Sequence, residues 1–220
     1  MQLGYPYLYK LGHMSNSNTS SLTADDIQAI TQGFHDDPFS TFGPHQHDNQ
    51  WVIRTFQPHA TAVHLVHNGA SQKMNQIDPH GLFELWLPEL NTAAYHYKIT
   101  THQNETQIVE DPYRFNYSTA EQDLIVYEKQ GAHRAVVEGI HGTHFSVWAP
   151  NAVRVSVVGT FNDWDGRRHV MRKHHESGIW GRAMILMSRL QIICVLLWMG
   201  ILSYLVSLLI KGGIQQLMFQ

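Results

Sequence analysis

The sequence predicts an all-β protein of two tandem β-sandwiches, the second truncated, with a hydrophobic and helical carboxy-terminal tail. Three features of the 220 residues lead to this architecture. Short runs of alternating apolar residues follow one another after residue 50, the chain repeats itself at an offset of 92 residues, and the last 44 residues contain no Asp, Glu or His. Alternation predicts strands, and a repeat predicts two domains of one design.

A short helix is predicted at residues 24–32. Thr23 and Asp26 have the spacing of a capping box, in which each side chain bonds the backbone of the other residue. Ile27 and Ile30 lie three positions apart, and Gly33 is placed to end the helix. We expect the helix to pack on the surface of the first domain. Residues 1–23 before it are expected to be disordered.

The first sandwich is predicted over residues 24–128. Four runs have the apolar alternation of short strands, and Gly, Pro, Asn or Asp residues punctuate the gaps between them. The runs are residues 51–56 (WVIRTF), 63–66, 82–87 (LFELWL) and 95–99. Strands of this length and spacing indicate an antiparallel sandwich of the immunoglobulin-like type. Trp51 and Trp86 are interpreted as core residues.

The repeat predicts the second sandwich. Residues 56–60 (FQPHA) align with residues 148–152 (WAPNA), and the alternating apolar positions that follow also align. Further on, residues 81–83 (GLF) resemble residues 178–180 (GIW). The second copy is therefore placed at residues 133–180, with Trp148 interpreted as a core residue. The later strands of the first copy find no counterpart after residue 180, so this sandwich is expected to be incomplete.

Residues 181–220 differ in character from the rest of the chain. Residues 190–210 form a run of 21 uncharged residues, which as a helix is long enough to cross a bilayer. One interpretation is a transmembrane anchor, and the other is an aberrant tail from a shifted reading frame whose hydropathy is accidental. The break falls inside a domain, without a polar tether, which favours the second interpretation.

Composition excludes several classes of function. A net charge of −3 argues against nucleic-acid binding, since nothing neutralises a row of phosphates. The single cysteine, Cys194, allows no internal disulfide and suits a reducing compartment, and the first twenty residues lack a secretion signal. We therefore expect a cytoplasmic protein. The sixteen histidines do not have the spacing of zinc sites, so neither a metal site nor a cofactor is expected.

Two stretches of the second sandwich carry a family resemblance. Residues 142–152 (GTHFSVWAPNA) and 155–169 (VSVVGTFNDWDGRRH) resemble the starch-binding-type sandwich of bacterial 1,4-α-glucan (glycogen) branching enzymes. Residues 37–45 (DPFSTFGPH) and 111–115 (DPYRF) resemble the opening and the close of that family's extra first sandwich. The resemblance covers about residues 24–180. It implies a part in glycogen biosynthesis, in which α-1,4-glucan chains are transferred to form α-1,6 branches.

The resemblance also bears on the site. In this family the catalytic carboxylates lie on a (β/α)₈ barrel that follows the second sandwich, so no catalytic residue is assigned and the chain is expected to be inactive alone. The implied partner is an α-glucan, with Trp164 as the stacking residue and Asn162, Arg167 and Trp180 as companions. A core or domain-interface position for Trp164 stays open. The alternative function is a non-enzymatic glucan-binding module held to a membrane by residues 190–210.

Overall fold

The computed structural model describes residues 20–35, 37–90, 94–114, 131–137, 140–174, 178–184, 193–199, 202–208 and 217–218. These residues form one α-helix, sixteen β-strands and two short 3₁₀ helices, Pro38–Ser40 and Thr160–Asn162. All of the strand pairs are antiparallel. The predicted mostly β, antiparallel architecture is therefore confirmed.

The helix α1 spans Ala24–Gln32, as predicted. The Thr23 Oγ1 atom accepts a hydrogen bond from the Asp26 backbone N–H at 3.2 Å, and the Asp26 carboxylate accepts one from the Thr23 N–H at 2.9 Å. Gly33 ends the helix with a φ of 80°, in the left-handed region where glycine is least strained. The predicted capping box is confirmed.

Eight strands build the first domain. They form two four-stranded sheets, with the orders β1-β2-β6-β5 and β4-β3-β7-β8. The strands are β1 Gly43–His47, β2 Gln50–Phe56, β3 Ala60–His67, β4 Ala70–Lys73, β5 Asn75–Asp78, β6 Leu82–Leu87, β7 Tyr95–Thr101 and β8 Thr106–Glu110. A core that includes Ile53, Val63, Phe83 and Tyr97 draws side chains from both sheets, so the sheets pack face to face.

Helix α1 covers the outer face of the β2–β6 pair. Ile30, Phe42, Phe56 and Leu82 form a second buried cluster there, and Leu22 packs against it. Hydrophobic burial on this face therefore attaches the helix to the sheet. This arrangement confirms the expectation that the helix packs on the first domain.

A buried ion pair lies on the same outer face. The Arg54 Nε atom donates to a Glu84 carboxylate oxygen at 2.7 Å, and both side chains are at most 5% exposed. The Trp86 indole N–H donates to the other carboxylate oxygen at 2.7 Å. Ser20 Oγ donates to Glu84 at 2.9 Å, and Arg54 donates to Ser21 Oγ at 2.6 Å. Ser20 and Ser21 fall in the segment expected to be disordered, yet these bonds give them a defined place.

The segment that closes the first domain is held by a buried carboxylate. Asp111 is fully buried and accepts hydrogen bonds from the hydroxyls of Tyr95 at 2.5 Å and Tyr97 at 2.8 Å. Burial, with the Asp111 charge close by, raises the pKa of both tyrosines well above the usual value. Both hydroxyls therefore stay protonated as donors at neutral pH.

The second domain repeats this plan. Its first sheet has the order β12-β13-β10-β9, and β11 belongs to a facing sheet. The strands are β9 Gly131–Val137, β10 Ile140–Trp148, β11 Arg154–Val158, β12 Arg172–His174 and β13 Ile179–Met184. Their shared core includes Phe145, Val155, Val157 and Trp180. The strands extend beyond the predicted range 133–180 at both ends.

The internal repeat is visible in matching hydrogen bonds. The Gln57 N–H donates to the Gly81 carbonyl at 2.7 Å, and the equivalent Ala149 N–H donates to the Gly178 carbonyl at 2.9 Å. Both glycines have a positive φ, 102° and 69°. The two copies therefore close the aromatic-x-Pro turn in the same way, which confirms the alignment made on the sequence.

The tail contains strands where a helix was expected. The strands β14 Ile193–Met199, β15 Leu202–Leu208 and β16 Leu217–Met218 extend the sheet of β11 in the order β11-β14-β15-β16. The prediction of a helical tail is wrong for these residues. An uninterrupted apolar run has no period that separates helix from buried strand, and here Gly200 falls between two seven-residue strands that pair with each other.

The placement of β14 bears on the expected truncation of the second sandwich after residue 180. It pairs with β11 as β7 pairs with β3 in the first domain, so the described backbone of the second copy continues after Trp180. Among the residues that the structure describes, no helix is long and apolar enough to cross a membrane. Residues 190–192, 200–201 and 209–210 of the proposed span lie outside the described residues.

Candidate functional site

The candidate site is the turn of residues 159–169, between β11 and β12. Trp164 lies at its tip with 46% of its surface exposed. Asp163 and Trp164 both have left-handed backbone conformations, with φ values of 55° and 60°, which are uncommon for residues other than glycine. The Trp164 N–H donates to the Gly159 carbonyl at 2.9 Å. The turn thus holds a large aromatic side chain at the surface in a fixed backbone conformation.

Asn162 organises this turn from inside. Its side chain is fully buried. The Oδ1 atom accepts a hydrogen bond from the Gly159 N–H at 2.8 Å, and Nδ2 lies 3.0 Å from the Val157 carbonyl and 3.0 Å from His169 Nδ1. The structure therefore places Asn162 beneath the turn and out of reach of a ligand, in contrast to its predicted place beside Trp164.

Arg167 bridges the two domains. Its Nη2 atom donates to Asp165 at 2.7 Å, and its Nη1 atom donates to the Thr31 carbonyl in the last turn of α1 at 2.7 Å. The guanidinium carbon also lies 5.0 Å from the centre of the Phe56 ring, a cation–π distance. A cation at a helix carboxyl end is favoured by the helix dipole. Arg167 thus fixes the turn to the first domain.

Two further arginines cross the same boundary. Arg168 donates to the Gln57 side-chain carbonyl at 2.6 Å and pairs with Asp163 at 3.4 Å. Arg154 donates to the carbonyls of Gly33 and Gly166. We use the name seam for the region where Arg154, Arg167 and Arg168 of the second domain contact Gln57 and the end of α1 in the first domain. The seam bonds reach Asp163 and Gly166 on both sides of Trp164, so they hold the part of the turn that carries the exposed ring.

The electrostatics of the turn centre on Asp165. Burial alone would raise the pKa of its carboxyl, but hydrogen bonds from the Arg167 side chain and backbone, with the charges of Arg167 and Arg168, lower it below the usual value. The hydrogen bond to Asp165 correspondingly raises the pKa of Arg167. Both groups are therefore charged at neutral pH, and their attraction stabilises the folded turn.

This pair gives a testable pH dependence. A carboxyl whose pKa is lower in the folded state contributes stability above its unfolded pKa of about 3.9, and this contribution is lost as the pH falls through the folded value. At pH 7, Asp165→Asn is expected to lower the free energy of unfolding by about 1–2 kcal/mol, a low value for charged hydrogen bonds because Arg167 is 35% exposed. Urea unfolding from pH 7 to pH 3 should show this difference shrinking below about pH 4. A difference that stays constant over this range would contradict the prediction.

Trp180 and Trp148 exchange the environments expected for them. Trp180 is 4% exposed, belongs to the core, and donates its indole N–H to the Ala149 carbonyl at 3.0 Å. Trp148 is 58% exposed, so its interpretation as a core residue is wrong. Val147, which lies opposite Trp180, points into the core, and successive side chains on a strand point to opposite faces. Trp148 therefore faces outward.

Of the four predicted binding residues, Trp164 alone presents a broad exposed aromatic surface. Within the described parts of the chain, His, Cys, Asp and Glu side chains form no group of three or more that could hold a metal ion. Sequence reasoning missed the seam arginines Arg154 and Arg168. In the sequence, Arg154 begins a strand and Arg168 lies in a turn. Arginines in such positions are too common for these two to be singled out as functional.

Two family models match this chain. Residues 23–113 match the N-terminal domain of alpha-1,4-glucan branching enzyme GlgB, and residues 129–186 match carbohydrate-binding module 48, the isoamylase N-terminal domain. The two matches correspond to the two domains described above. The candidate turn lies in the second of them.

Curated relatives agree with these matches. The chain is 42% identical over 168 residues to 1,4-alpha-glucan branching enzyme GlgB of Paramagnetospirillum magneticum, with 72% of this chain and 22% of the relative covered. It is 38% identical over 174 residues to the same enzyme of Rhodospirillum rubrum, with 71% and 24% covered. The chain thus spans about a quarter of the length of these relatives. A pullulanase from Anoxybacillus sp. LM18-11 is a structural neighbour at 15% identity and a TM-score of 0.29, with 76% of this chain and 25% of the pullulanase covered.

Proposed function

Residues 23–186 correspond to the amino-terminal region of the 1,4-alpha-glucan branching enzymes GlgB, and from this premise we propose that the chain binds α-glucan through Trp164. In the proposal, this region holds a glucan chain for an enzyme that transfers α-1,4-linked chains to form α-1,6 branches. The single observation that carries the proposal is the exposed Trp164 ring on a turn whose backbone is fixed.

The chemistry of the ligand fits this side chain. A pyranose ring has an apolar C–H face that packs on an aromatic plane, while its hydroxyls need polar partners. The Asp163 side chain, beside Trp164, is 61% exposed. The Nε2 atom of His59, in the first domain, lies 3.8 Å from the Asp163 Oδ2 atom, and the His59 side chain is 58% exposed. These groups can bond sugar hydroxyls next to the ring. Both domains therefore contribute to the proposed surface.

The fixed backbone of the turn favours binding. A ligand that stacks on a side chain already held in place loses less conformational entropy on binding than one that must order a loop. The buried Asn162 and the Arg167–Asp165 pair supply this order. Asn162 and Arg167 thus support the proposed site by holding the turn that carries Trp164, and neither serves as a sugar contact in the proposal.

The proposed location is the cytoplasm. A single cysteine, Cys194, suits a reducing compartment.

Trp164→Ala is expected to weaken glucan binding roughly tenfold or more, which corresponds to a loss of about 1.4 kcal/mol or above. Isothermal titration with maltoheptaose and retardation in glycogen-containing native gels would measure the change. Trp148→Ala is the matched control, because Trp148 is an equally large exposed aromatic residue outside the turn. We expect the control to bind like the unmodified chain, and near-ultraviolet circular dichroism should show that both variants are folded. Equal losses in both variants, or none in Trp164→Ala, would refute a site at this turn.

A further inference from the structure

The strand β8 lies at the edge of a sheet in the first domain. It pairs with β7 on one side, and no residue that the structure describes pairs with its other side. Ile108, at the middle of β8, lies opposite Lys98 on the outer face of the sheet and is 65% exposed. An edge strand of this kind presents a row of backbone N–H and C=O groups to which a further strand can bond.

The other three edge strands of this domain have features that hinder such pairing. The strand β1 contains Pro44, which has no N–H to donate, and β4 is four residues long and ends in the exposed Lys73. The pairing of β5 with β6 shifts register between Gln76 and Asp78. Proline, lysine, short length and bulges are the features by which natural sheets avoid edge-to-edge association. The strand β8 (TQIVE) has neither Pro nor Lys, and its pairing with β7 has no shift.

The sequence of β8 is complementary to a second copy of itself. In an antiparallel pair centred on Ile108, all five residues find a partner and the two Ile108 side chains face each other. Thr106 of each copy then lies opposite Glu110 of the other copy, because directly opposed residues share one face of a sheet. The exposed isoleucine of one copy is thereby covered by that of the other, which removes apolar surface from water.

The charges of β8 favour this register. Glu110 is the charged residue of the strand, and its carboxylate pairs with Arg114 of the same chain at 2.8 Å. In the antiparallel pair centred on Ile108, each carboxylate meets a threonine hydroxyl. A parallel pair in register would place the two Glu110 side chains next to each other, and like charges in that position are destabilising.

We infer that two copies of this chain associate through β8 and join their sheets into one antiparallel sheet of eight strands. The outer edges of the joined sheet are the β4 strands, which carry Lys73, so assembly stops at a closed dimer. A five-residue strand provides a small contact area, so the dimer is a weak one that forms and dissociates readily.

Sedimentation velocity of the 220-residue chain tests the association. We expect a sedimentation coefficient that rises towards that of a dimer over about a hundredfold range of concentration, since dimerisation follows mass action. Amide hydrogen exchange, measured at both ends of this range, should show slower exchange of residues 106–110 at the higher concentration. Slower exchange at β8 assigns the contact to this strand.

Ile108→Lys is expected to weaken the association about tenfold or more, because two ammonium groups would face each other at the centre of the pair. Val136→Lys is the matched control, since Val136 is a 60% exposed aliphatic residue on β9, the edge strand of a sheet in the second domain. It should leave the association unchanged. Near-ultraviolet circular dichroism should show that both variants are folded.

A second pair of variants tests the register. Thr106→Lys places a positive charge opposite Glu110 of the other copy and should strengthen the association about twofold or more, whereas Thr106→Glu should weaken it by a similar factor. Each substitution acts twice in a symmetric dimer. Equal effects of the two substitutions would contradict the proposed pairing.

Three results would overturn the inference. The first is a sedimentation coefficient that stays that of a monomer at every concentration. The second is an association that Ile108→Lys leaves unchanged, which would place the contact elsewhere, for instance on the apolar residues 190–210. The third is a monomer whose β8 amides are protected equally at all concentrations, which would show that the chain covers this edge itself.

Discussion

Glu84→Ala is expected to destabilise the first domain by about 3–5 kcal/mol, because it leaves the Arg54 guanidinium charged, buried and without its carboxylate. The Arg54 side chain is 5% exposed, and its Nε atom donates to Glu84 at 2.7 Å. The Trp86 indole N–H and the Ser20 hydroxyl would lose the same acceptor. Urea unfolding, with the midpoint and slope compared between variants, measures the loss.

Three further variants separate the causes. Arg54→Met should also destabilise, because Glu84 is then the unpaired buried charge. The double variant Arg54→Met with Glu84→Leu should recover much of the loss, since an apolar pair of similar size needs no charge compensation. His80→Ala removes an ion pair whose histidine is 70% exposed and should cost less than about 1 kcal/mol. A Glu84→Ala cost as small as that of His80→Ala would contradict the prediction.

The ion pair also shows where sequence reasoning stops. Alternation places Val52, Arg54 and Phe56 on one face of β2, and that grouping is visible in the sequence. What the sequence does not reveal is that α1 covers this face, so that a charged residue there becomes buried. The capping box and Gly33 could be predicted because their partners lie within a few residues. The partner of Arg54 lies 30 residues away across the sheet.

The candidate site divides in the same way. The motif drew attention to the turn, and Trp164 is exposed as a binding residue requires. The motif could not show whether the other polar residues are exposed for binding, because their burial depends on contacts with the first domain and with the backbone of the turn itself. Asn162 bonds the backbone of its own turn, and Arg167 reaches α1, 136 residues earlier in the chain. A strand shift of one residue likewise decides whether Trp148 or its neighbour faces the core.

The tail illustrates a different limit. Residues 190–210 lack both charge and alternation, and such a run satisfies a membrane helix and a buried strand equally well. In the structure residues 193–199 pair with β11, and that contact joins residues about 40 positions apart. The internal repeat contained a relevant clue, since β3 pairs with a strand that follows β6, and the equivalent of that strand falls in the tail.

Gly81→Ala is expected to cost about 3 kcal/mol or more, whereas Gly69→Ala should cost about 1 kcal/mol. Both glycines have a positive φ, 102° and 75°, so an L side chain at either position is strained by roughly 1–2 kcal/mol, which the lower entropy of the unfolded Ala chain partly offsets. The difference lies in the space available. A Cβ at Gly81 would lie 2.5 Å from the Gln57 carbonyl oxygen and 2.5 Å from the Pro58 Cα, while one at Gly69 meets nothing within 4 Å.

The added cost at Gly81 comes from the backbone it touches. Gln57 and Pro58 belong to the aromatic-x-Pro turn, and the Gln57 N–H donates to the Gly81 carbonyl at 2.7 Å. The turn therefore cannot move away from a new methyl group without breaking that bond. Overpacking of this kind costs about 1–3 kcal/mol. Gly178→Ala should resemble Gly81→Ala, because its Cβ would lie 2.6 Å from Pro150 in the second copy of the turn. Urea unfolding of the three variants tests the comparison. Equal costs at Gly69 and Gly81 would show that backbone strain alone governs these positions and that the turn tolerates the extra methyl group.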